Sequence, residues 1–443
     1  MEYNEETIAK ILNDQKQELL TNPNYREISR SIDYSLHLRT PEVSVITGVR
    51  RSGKSTLLRQ IGAHFSPTAN VHYVNFEDQR LSTFTVNHFR IFFERFLVGA
   101  ALEKPILVIY DELQVVEEWE RWIAELSGKK NCKVMISGSN AKLLSSEMAT
   151  LLTGRHRDIH LWPLSFHEIA RDLARTTPEL IQETSTLASV QKQKILDDYV
   201  TFGGFPRAFL DRESSILRQY YADIVFKDIV QRKKIRNINA VQDIGGLLCS
   251  TNTRLFSKRK VAEKTLDITA LTVAKFCGYF SETFLFSEIS LFSRSKRKQL
   301  AGRSKFYCVD PILAKEVGFH FSGDTAYWVL ENHVCNELLR REYAVYYWHA
   351  REKQEVDFIA VSSKQEKIAV QVALSLGDED TQKREVRALE AAELELGIKK
   401  LMIITLNEAK LIPIASGNTV EVVRFADWAL HNDTVIPAPT NSI

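Results

Sequence analysis

Short apolar runs alternate with helically spaced ones over roughly the first 165 residues. Val43–Thr47, Val71–Phe76, Ile106–Ile109 and Lys133–Ser137 read as strands, with a further short strand expected over Ile159–Leu164. Such runs, separated by helical stretches, predict a parallel sheet buried on both faces. Residues 1–40 read as helices, with Ile8, Ile11 and Leu12 and then Tyr25, Ile28 and Ile32 on helical spacing, and Ala141–Leu152 reads as another. From Phe166 to about Asn237 the pattern is helical throughout, broken at Gly203-Gly204-Phe205-Pro206 by a turn signal. Ser257–Lys264 and Thr269–Phe280 then read as two short helices about the turn Leu266-Asp267-Ile268. The second turns Thr272, Lys275 and Tyr279 outward, and a hairpin over Phe286–Asp310 follows.

From Trp328 a small α/β unit is expected: helix Leu330–Arg341, strands Ala344–Trp348, Glu355–Val361 and Ile368–Ala373, helix Thr381–Leu396 and strand Lys400–Thr405. The tail, Val435–Ile443, carries two prolines and reads as disordered. The pattern divides the chain into 1–165, a sheet core with its N-terminal helices; 166–245, a helical segment; 246–325, a helix-turn-helix with hairpin; 326–434, the second α/β unit; and 435–443, the tail.

Composition changes this picture little. With 443 residues, 44% of them hydrophobic and 26% charged, the chain can bury several cores. A net charge of +2 is too small to announce nucleic acid, so any basic surface must be local. Cys132, Cys249, Cys277, Cys308 and Cys335 lack the C-x-x-C spacing of a zinc site and do not form a disulfide framework, which points to a reducing, cytoplasmic setting. Neither a secretory leader nor a run of about 18 apolar residues is legible, so no membrane span is expected.

The chemistry concentrates at Gly48–Thr56, which reads G-V-R-R-S-G-K-S-T between a strand and a helix bearing Leu57, Leu58 and Ile61. This is a phosphate-binding loop: Gly48, Val49, Arg50, Arg51, Ser52, Gly53, Lys54, Ser55 and Thr56 wrap the phosphates of ATP. Backbone N–H groups at the helix N-terminus face the anion, and glycine is needed because a side chain would block that approach. Lys54 supplies positive charge, and the Ser55 hydroxyl holds Mg²⁺. The run Ile106–Ile109 ends in Tyr110-Asp111-Glu112. If that strand lies next to the loop strand, Asp111 reaches the same Mg²⁺ and Glu112 orients and polarises the attacking water. The plainer reading of these carboxylates is an acidic strand end or a helix cap.

Gly138-Ser139-Asn140 closes the next strand, which makes Ser139 and Asn140 candidates to sense the γ-phosphate or the water, or simply a polar turn capping a helix. In Thr153-Gly154-Arg155-His156-Arg157, Arg155 or Arg157 would lie on the rim of the nucleotide domain, out of reach of its own phosphate but able to act on a neighbour's. The alternative for either arginine is a solvated or ion-paired face. Arg207, after the Gly-Gly turn, is a further candidate sensor.

The elements G-V-R-R-S-G-K-S-T, Y-V-N-F-E-D, I-L-V-I-Y-D-E, I-S-G-S-N-A-K-L-L, L-T-G-R and W-P-L-S-F-H-E-I, in this order, resemble the prokaryotic AAA+ ATPases that carry a conserved C-terminal domain of unknown function. The likeness continues through Y-V-T-F-G-G-F-P and Glu355-Val356-Asp357-Phe358. It implies an α/β P-loop AAA+ core with a helical lid, and an ATP-hydrolysing oligomer, a ring with a hexamer favoured, in which Lys54, Asp111, Glu112 and Arg155 take their usual roles. It does not imply one cellular task.

Within 246–325 the helix-turn-helix and hairpin read as a winged helix whose wing is basic: Arg294, Lys296, Arg297 and Lys298, with Arg303 and Lys305 close behind. A single-sign run of this kind suits the phosphate backbone of DNA, the alternatives being a solvated charge run or a protein-contact wing. The last unit resembles the restriction-endonuclease-like PD-(D/E)xK core. There Glu331, Asp357 and a following E-x-K would bind Mg²⁺ and activate water, but the chain reads Gln371-Val372-Ala373. The resemblance thus implies a degenerate nuclease kept for binding or assembly. The sequence reading as a whole is a Mg²⁺-dependent ATPase coupled to DNA remodelling such as branch migration or strand separation. The alternatives are an ATP-dependent switch acting on a protein partner and an ATP-driven nuclease.

Overall fold

The computed structural model describes residues 3–21, 26–32, 40, 42–101, 103–140, 155–174, 186–264, 268–293, 295–320, 325–350 and 354–430. The chain separates into two compact units, residues 1–162 and 163–434.

The first unit opens with α1 (Glu5–Leu20), capped by the Asn4 side chain, which accepts from Thr7 N–H. Its buried stripe of Ile8, Ile11 and Leu19 packs on the core, and Gln15 hydrogen-bonds Asn75 and Asp78. Of the second stretch expected to be helical, the described residues 26–32, which include Ile28 and Ile32, are irregular, with Arg30 donating to the carbonyls of Ser52 and Trp162. Tyr25 and the helix expected over Ala141–Leu152 lie outside the described residues.

Next come β1 (Val43–Thr47), α2 (Lys54–Phe65), β2 (Asn70–Asn75), α3 (His88–Leu97), β3 (Ile106–Asp111), α4 (Trp119–Ser127), β4 (Cys132–Gly138) and β5 (His156–His160). The last begins earlier than expected and takes Arg157 into the strand. All five strands are parallel, in the order β2-β3-β4-β1-β5. One face packs α1, α3 and α4 through Phe89, Phe92, Trp119, Trp122 and Ile123; the other packs α2 through Leu57, Leu58, Ile61 and Phe65. The strand bearing Asp111 is not next to the loop strand as expected. β4 lies between them, so the end of β4, with Ser137 and then Ser139 and Asn140, stands between the two strand ends.

The second unit begins with α5 (Phe166–Ala174), α6 (Thr186–Phe202), α7 (Pro206–Leu210) and α8 (Ile216–Asp223). The last runs into a π-helical stretch at Ile224–Gln231 and is followed by α9 (Ile238–Ser250). A three-stranded antiparallel sheet in the order β6-β8-β7 follows. It is built from β6 (Leu255–Phe256), β7 (Phe286–Ile289) and β8 (Ser304–Cys308), with α10 (Lys258–Lys264) and α11 (Ala270–Glu282) between β6 and β7. α11 buries Val273, Phe276, Cys277 and Phe280. The link from β7 to β8 is not an open wing loop, because it carries a short helix, α12 (Lys296–Ala301).

After α13 (Pro311–Val317) and α14 (Thr325–Arg340) comes a six-stranded mixed sheet in the order β13-β14-β12-β11-β10-β9. Its strands are β9 (Ala344–His349), β10 (Glu355–Val361), β11 (Lys367–Val372), β12 (Lys400–Thr405), β13 (Lys410–Pro413) and β14 (Thr419–Arg424). α15 (Glu379–Leu396) seats Ala388, Leu389 and Ala392 on this sheet, and α16 (Phe425–Leu430) ends the described chain. The last two strands and α16 extend the α/β unit beyond the sequence pattern. A turn containing Gly417 joins β13 to β14, and β14 carries exposed residues on alternate positions. Among the described residues no helix is long and apolar enough to cross a membrane.

Candidate functional site

The loop after β1 has the backbone its glycines require. Gly48 has φ of 150° and Gly53 of 99°, and a Cβ on Gly48 would lie 2.2 Å from the Leu161 carbonyl oxygen. That carbonyl cannot retreat easily, because Leu161 N–H is bonded to Thr47 O at 2.7 Å. Gly48→Ala is therefore expected to destabilise the first unit by about 1–3 kcal/mol, the range for overpacking a fixed site. A lowered melting temperature together with weakened binding of a fluorescent ATP analogue would show it; an unchanged melt would contradict the contact.

Lys54 opens α2, is buried, and donates to the carbonyls of Gly48 (3.1 Å) and Val49 (3.2 Å). Its ammonium lies 3.6 Å from Glu112 Oε1. Ser52 is buried, and its hydroxyl meets no hydrogen-bond partner among the described residues, so it is available to an oxyanion seated in the loop. Ser55 is exposed and hydrogen-bonded to Asp111. Arg50 is drawn aside to Glu77 at 2.7 Å, Arg51 is exposed with φ of 71°, and Val49 is buried. Thr56 is half-buried on the first turn of α2.

Asp111 and Glu112 end β3. Asp111 is fully buried, accepting from the hydroxyls of Ser137 and, at 3.5 Å, Tyr73. Burial, followed by the Glu112 charge, pushes its carboxyl up to about 6, while Ser137, Ser55 and Lys54 pull the other way. Glu112 has φ of 53°, a left-handed conformation that a glutamate adopts at a cost of about 1–3 kcal/mol. Its backbone N–H is held by Ser137 Oγ at 3.1 Å. Ser137 thus fixes both acidic residues from the intervening strand. The sequence reading missed this role, whose only signal is a hydroxyl in an otherwise apolar strand end. Ser139 and Asn140 are both buried just beyond β4, and Gln114 Nε2 reaches Glu112 Oε2 and lies 3.5 Å from Ser139 Oγ.

Within the first unit, Arg155 and Arg157 are not gathered around this site. Arg155 is exposed and precedes β5, its carbonyl accepting from Val43 N–H at the start of β1. The loop lies at the opposite end of β1, about 16 Å away at some 3.3 Å per residue. Arg157 is tied to Glu42 at 3.5 Å. Arg207 pairs with Asp211 four residues on, at 3.0 Å.

In the second unit Lys296, Arg297 and Arg303 are exposed; Arg294 and the side chain of Lys298 lie outside the described residues. Lys305 corrects the sequence reading. It is only 5% exposed, and its ammonium meets Glu331 Oε1 at 3.3 Å and Glu355 Oε1 at 2.7 Å. On β8 the alternation that buries Tyr307 buries Lys305 too, and Tyr307 Oη donates to Glu331 at 2.7 Å. Lys305 therefore cannot contact DNA. Burial alone would lower its pKa, but Glu331, Asp357 and Glu355 together raise it. Asp357 accepts from Val372 N–H at 2.9 Å, and its carboxyl is pushed well up by burial and by Glu331. Gln371 donates to Glu385 at 2.6 Å. The lysine that the sequence lacks at Ala373 is thus supplied to Glu331 from β8, within a network satisfied by its own members. Among the described residues no three His, Cys, Asp or Glu are grouped to hold a metal ion.

A β2-β3-β4-β1-β5 sheet with a glycine loop after β1 and Asp-Glu at the end of β3 defines the AAA+ class of P-loop ATPase. A family model described as an AAA domain matches residues 40–170. Models of two domains of unknown function, DUF8612 and DUF4143, match residues 193–319 and 328–426. The chain is 30% identical over 415 residues to a protein of Methanocaldococcus jannaschii called uncharacterized protein MJ1544, with 90% of each chain covered. An uncharacterized protein of Haemophilus influenzae is 28% identical over 408 residues, covering 88% of this chain and 95% of the relative. The chain belongs to this family of AAA-domain proteins with two C-terminal domains of unknown function.

Among solved structures, Cdc6p of Pyrobaculum aerophilum is similar at 11% identity and a TM-score of 0.28, covering 68% of this chain and 97% of its own. The Aeropyrum pernix ORC1 protein in complex with DNA is similar at 11% identity and a TM-score of 0.29, covering 64% and 88%. Likenesses this weak carry no inference about activity or partner.

Proposed function

We propose that this protein hydrolyses ATP in a Mg²⁺-dependent oligomer and couples the turnover to DNA. The observation that carries the ATPase reading is the convergence of Lys54, Ser55, Asp111 and Glu112 on one end of the first sheet, with a buried Ser52 hydroxyl in the loop that meets no partner among the described residues. Ser55 and Asp111 offer a hydroxyl and a carboxylate, an oxygen donor set suited to Mg²⁺, which neutralises phosphate charge when bound. The loop N–H groups and Lys54 bind the phosphates, and Glu112 accepts a proton from the attacking water. Arg155, exposed and remote from its own loop, acts on the site of a neighbouring subunit, and a ring, with a hexamer favoured, supplies that neighbour. The compartment we propose is the cytoplasm.

The DNA reading is supported by a cavity of about 530 Å³ in the second unit, lined by Lys258, Arg259, Lys296, Arg303 and the lone acid Glu288. Glu288 pairs with Lys258 at 2.6 Å, and Arg259, though exposed, with Glu263 at 2.6 Å, which leaves Lys296 and Arg303 as the exposed lining cations that make no ion pair among the described residues. Changing both to alanine is expected to weaken DNA binding and to flatten the slope of log affinity against log salt by about 2. Anisotropy titrations between low and physiological salt would measure this, and an unchanged slope would exclude these residues.

The function is tested by steady-state ATP hydrolysis with single-stranded, duplex and four-way-junction DNA. Stimulation by one form, lost in the double alanine variant, supports the coupling; turnover indifferent to every form rejects it.

A further inference from the structure

We infer that Gln114 is a water-positioning residue of the ATPase site, working as a pair with Glu112; the inference rests on the hydrolytic reading above. Gln114 sits on the short 3₁₀ turn Leu113–Val115 directly after Glu112. Its amide orientation is set by chemistry, because a carboxylate only accepts and the group facing Glu112 Oε2 must therefore be the Nε2 donor. The same nitrogen lies 3.5 Å from Ser139 Oγ, so Gln114 links the end of β3 to the segment after β4.

The carbonyl at the other end of this amide is the informative atom. Gln114 Oε1 is buried and, among the described residues, meets no hydrogen-bond donor. Buried carbonyl oxygens are seldom left without a partner. This one lies beside the carboxylate that faces Lys54 at 3.6 Å, where the attacking water belongs.

A water molecule has two protons to donate. Held by two acceptors, Glu112 and Gln114 Oε1, it presents a lone pair to phosphorus. The water oxygen then bonds to the γ-phosphorus and the bond to the β-bridging oxygen breaks. One proton passes to Glu112, the other stays on the new phosphate, and ADP leaves with the bond's electron pair. Gln114 exchanges no proton, and its contribution is orientation. It also explains why Glu112 keeps a left-handed backbone: the turn that follows returns Gln114 beside it.

Gln114→Met keeps the length of the side chain and removes both hydrogen-bonding groups, on a half-buried turn where a thioether is tolerated. The expected result is a fall in kcat of about 30-fold or more, with ATP affinity by calorimetry within about threefold of the parent. Combined with Glu112→Gln, the change should add little further loss, because two groups holding one water fail as a unit. Gln114→Asn retains the amide one methylene short and should recover part of the lost kcat.

A Gln114→Met variant within about threefold of parental kcat overturns the inference while leaving the ATPase reading intact. So does one that loses kcat and affinity together with a lowered melting temperature, or one whose loss simply multiplies with that of Glu112→Gln. Absence of ATP turnover in the parent protein, with binding retained, overturns both readings.

Discussion

Replacing Glu112 by glutamine is expected to lower ATP turnover by about 10²–10³-fold and to leave ATP affinity within about threefold of the parent. The amide fills the same space beside Lys54 and Gln114 but cannot take a proton from water. It also removes a negative charge next to Asp111, whose carboxyl that charge helps to raise, so phosphate and Mg²⁺ binding are spared or slightly strengthened. Phosphate release in steady state and calorimetric titration of ATP separate the two effects. Loss of binding in parallel with turnover would assign Glu112 to the structure of the loop instead of to the reaction. Retention of turnover would remove it from the site altogether.

The second large effect concerns stability. Lys305→Met is expected to destabilise the second unit by about 3–5 kcal/mol, the usual consequence of removing one partner from a buried ion pair. Glu331 is buried and loses the ammonium while keeping the Tyr307 hydroxyl, and Asp357 loses the positive charge that holds its carboxyl down. Met retains most of the aliphatic stem, so cavity formation contributes little. The change is read as a lower urea midpoint for the second unit. A midpoint unchanged to within about 1 kcal/mol would mean that the cluster takes up protons in place of the lost charge. Arg303→Ala, two residues earlier and exposed, is the matched control and should leave the midpoint within about 0.5 kcal/mol. The contrast separates a basic residue that faces solvent from one that completes a buried network.

The phosphate loop was legible because everything that defines it is contiguous. An apolar strand, two glycines, Lys54 and the helical run after them each constrain the backbone within one turn of their neighbours, and the same holds for an apolar strand ending in Asp111-Glu112. The helical stretch after Phe166 and the strands Glu355–Val361 and Lys400–Thr405 were legible for the same reason, since periodicity is a local property. Misreadings fell where the answer depends on a distant partner. The basic run before β8 reads as one surface by charge, yet Lys305 faces Glu331 across the unit because its strand pairs with β7 and packs under α14. The irregular segment 26–32 carries helically spaced apolar residues, but Arg30 binds the loop and Trp162 carbonyls instead.

By itself, then, the sequence determined the nucleotide-binding chemistry, the parallel sheet that presents it and the class to which the chain belongs, because hydrophobic periodicity and loop backbone are set by neighbouring residues. Only the tertiary structure decided that β4 lies between the loop strand and the strand that ends in the acidic pair. It also decided that Ser137 and Gln114 hold Glu112 from two sides, that Arg155 starts a strand at the far end of the sheet, and that Lys305 is interior. Strand order and cross-strand register join residues tens to hundreds of positions apart, and a local pattern carries no record of which strand will lie beside which.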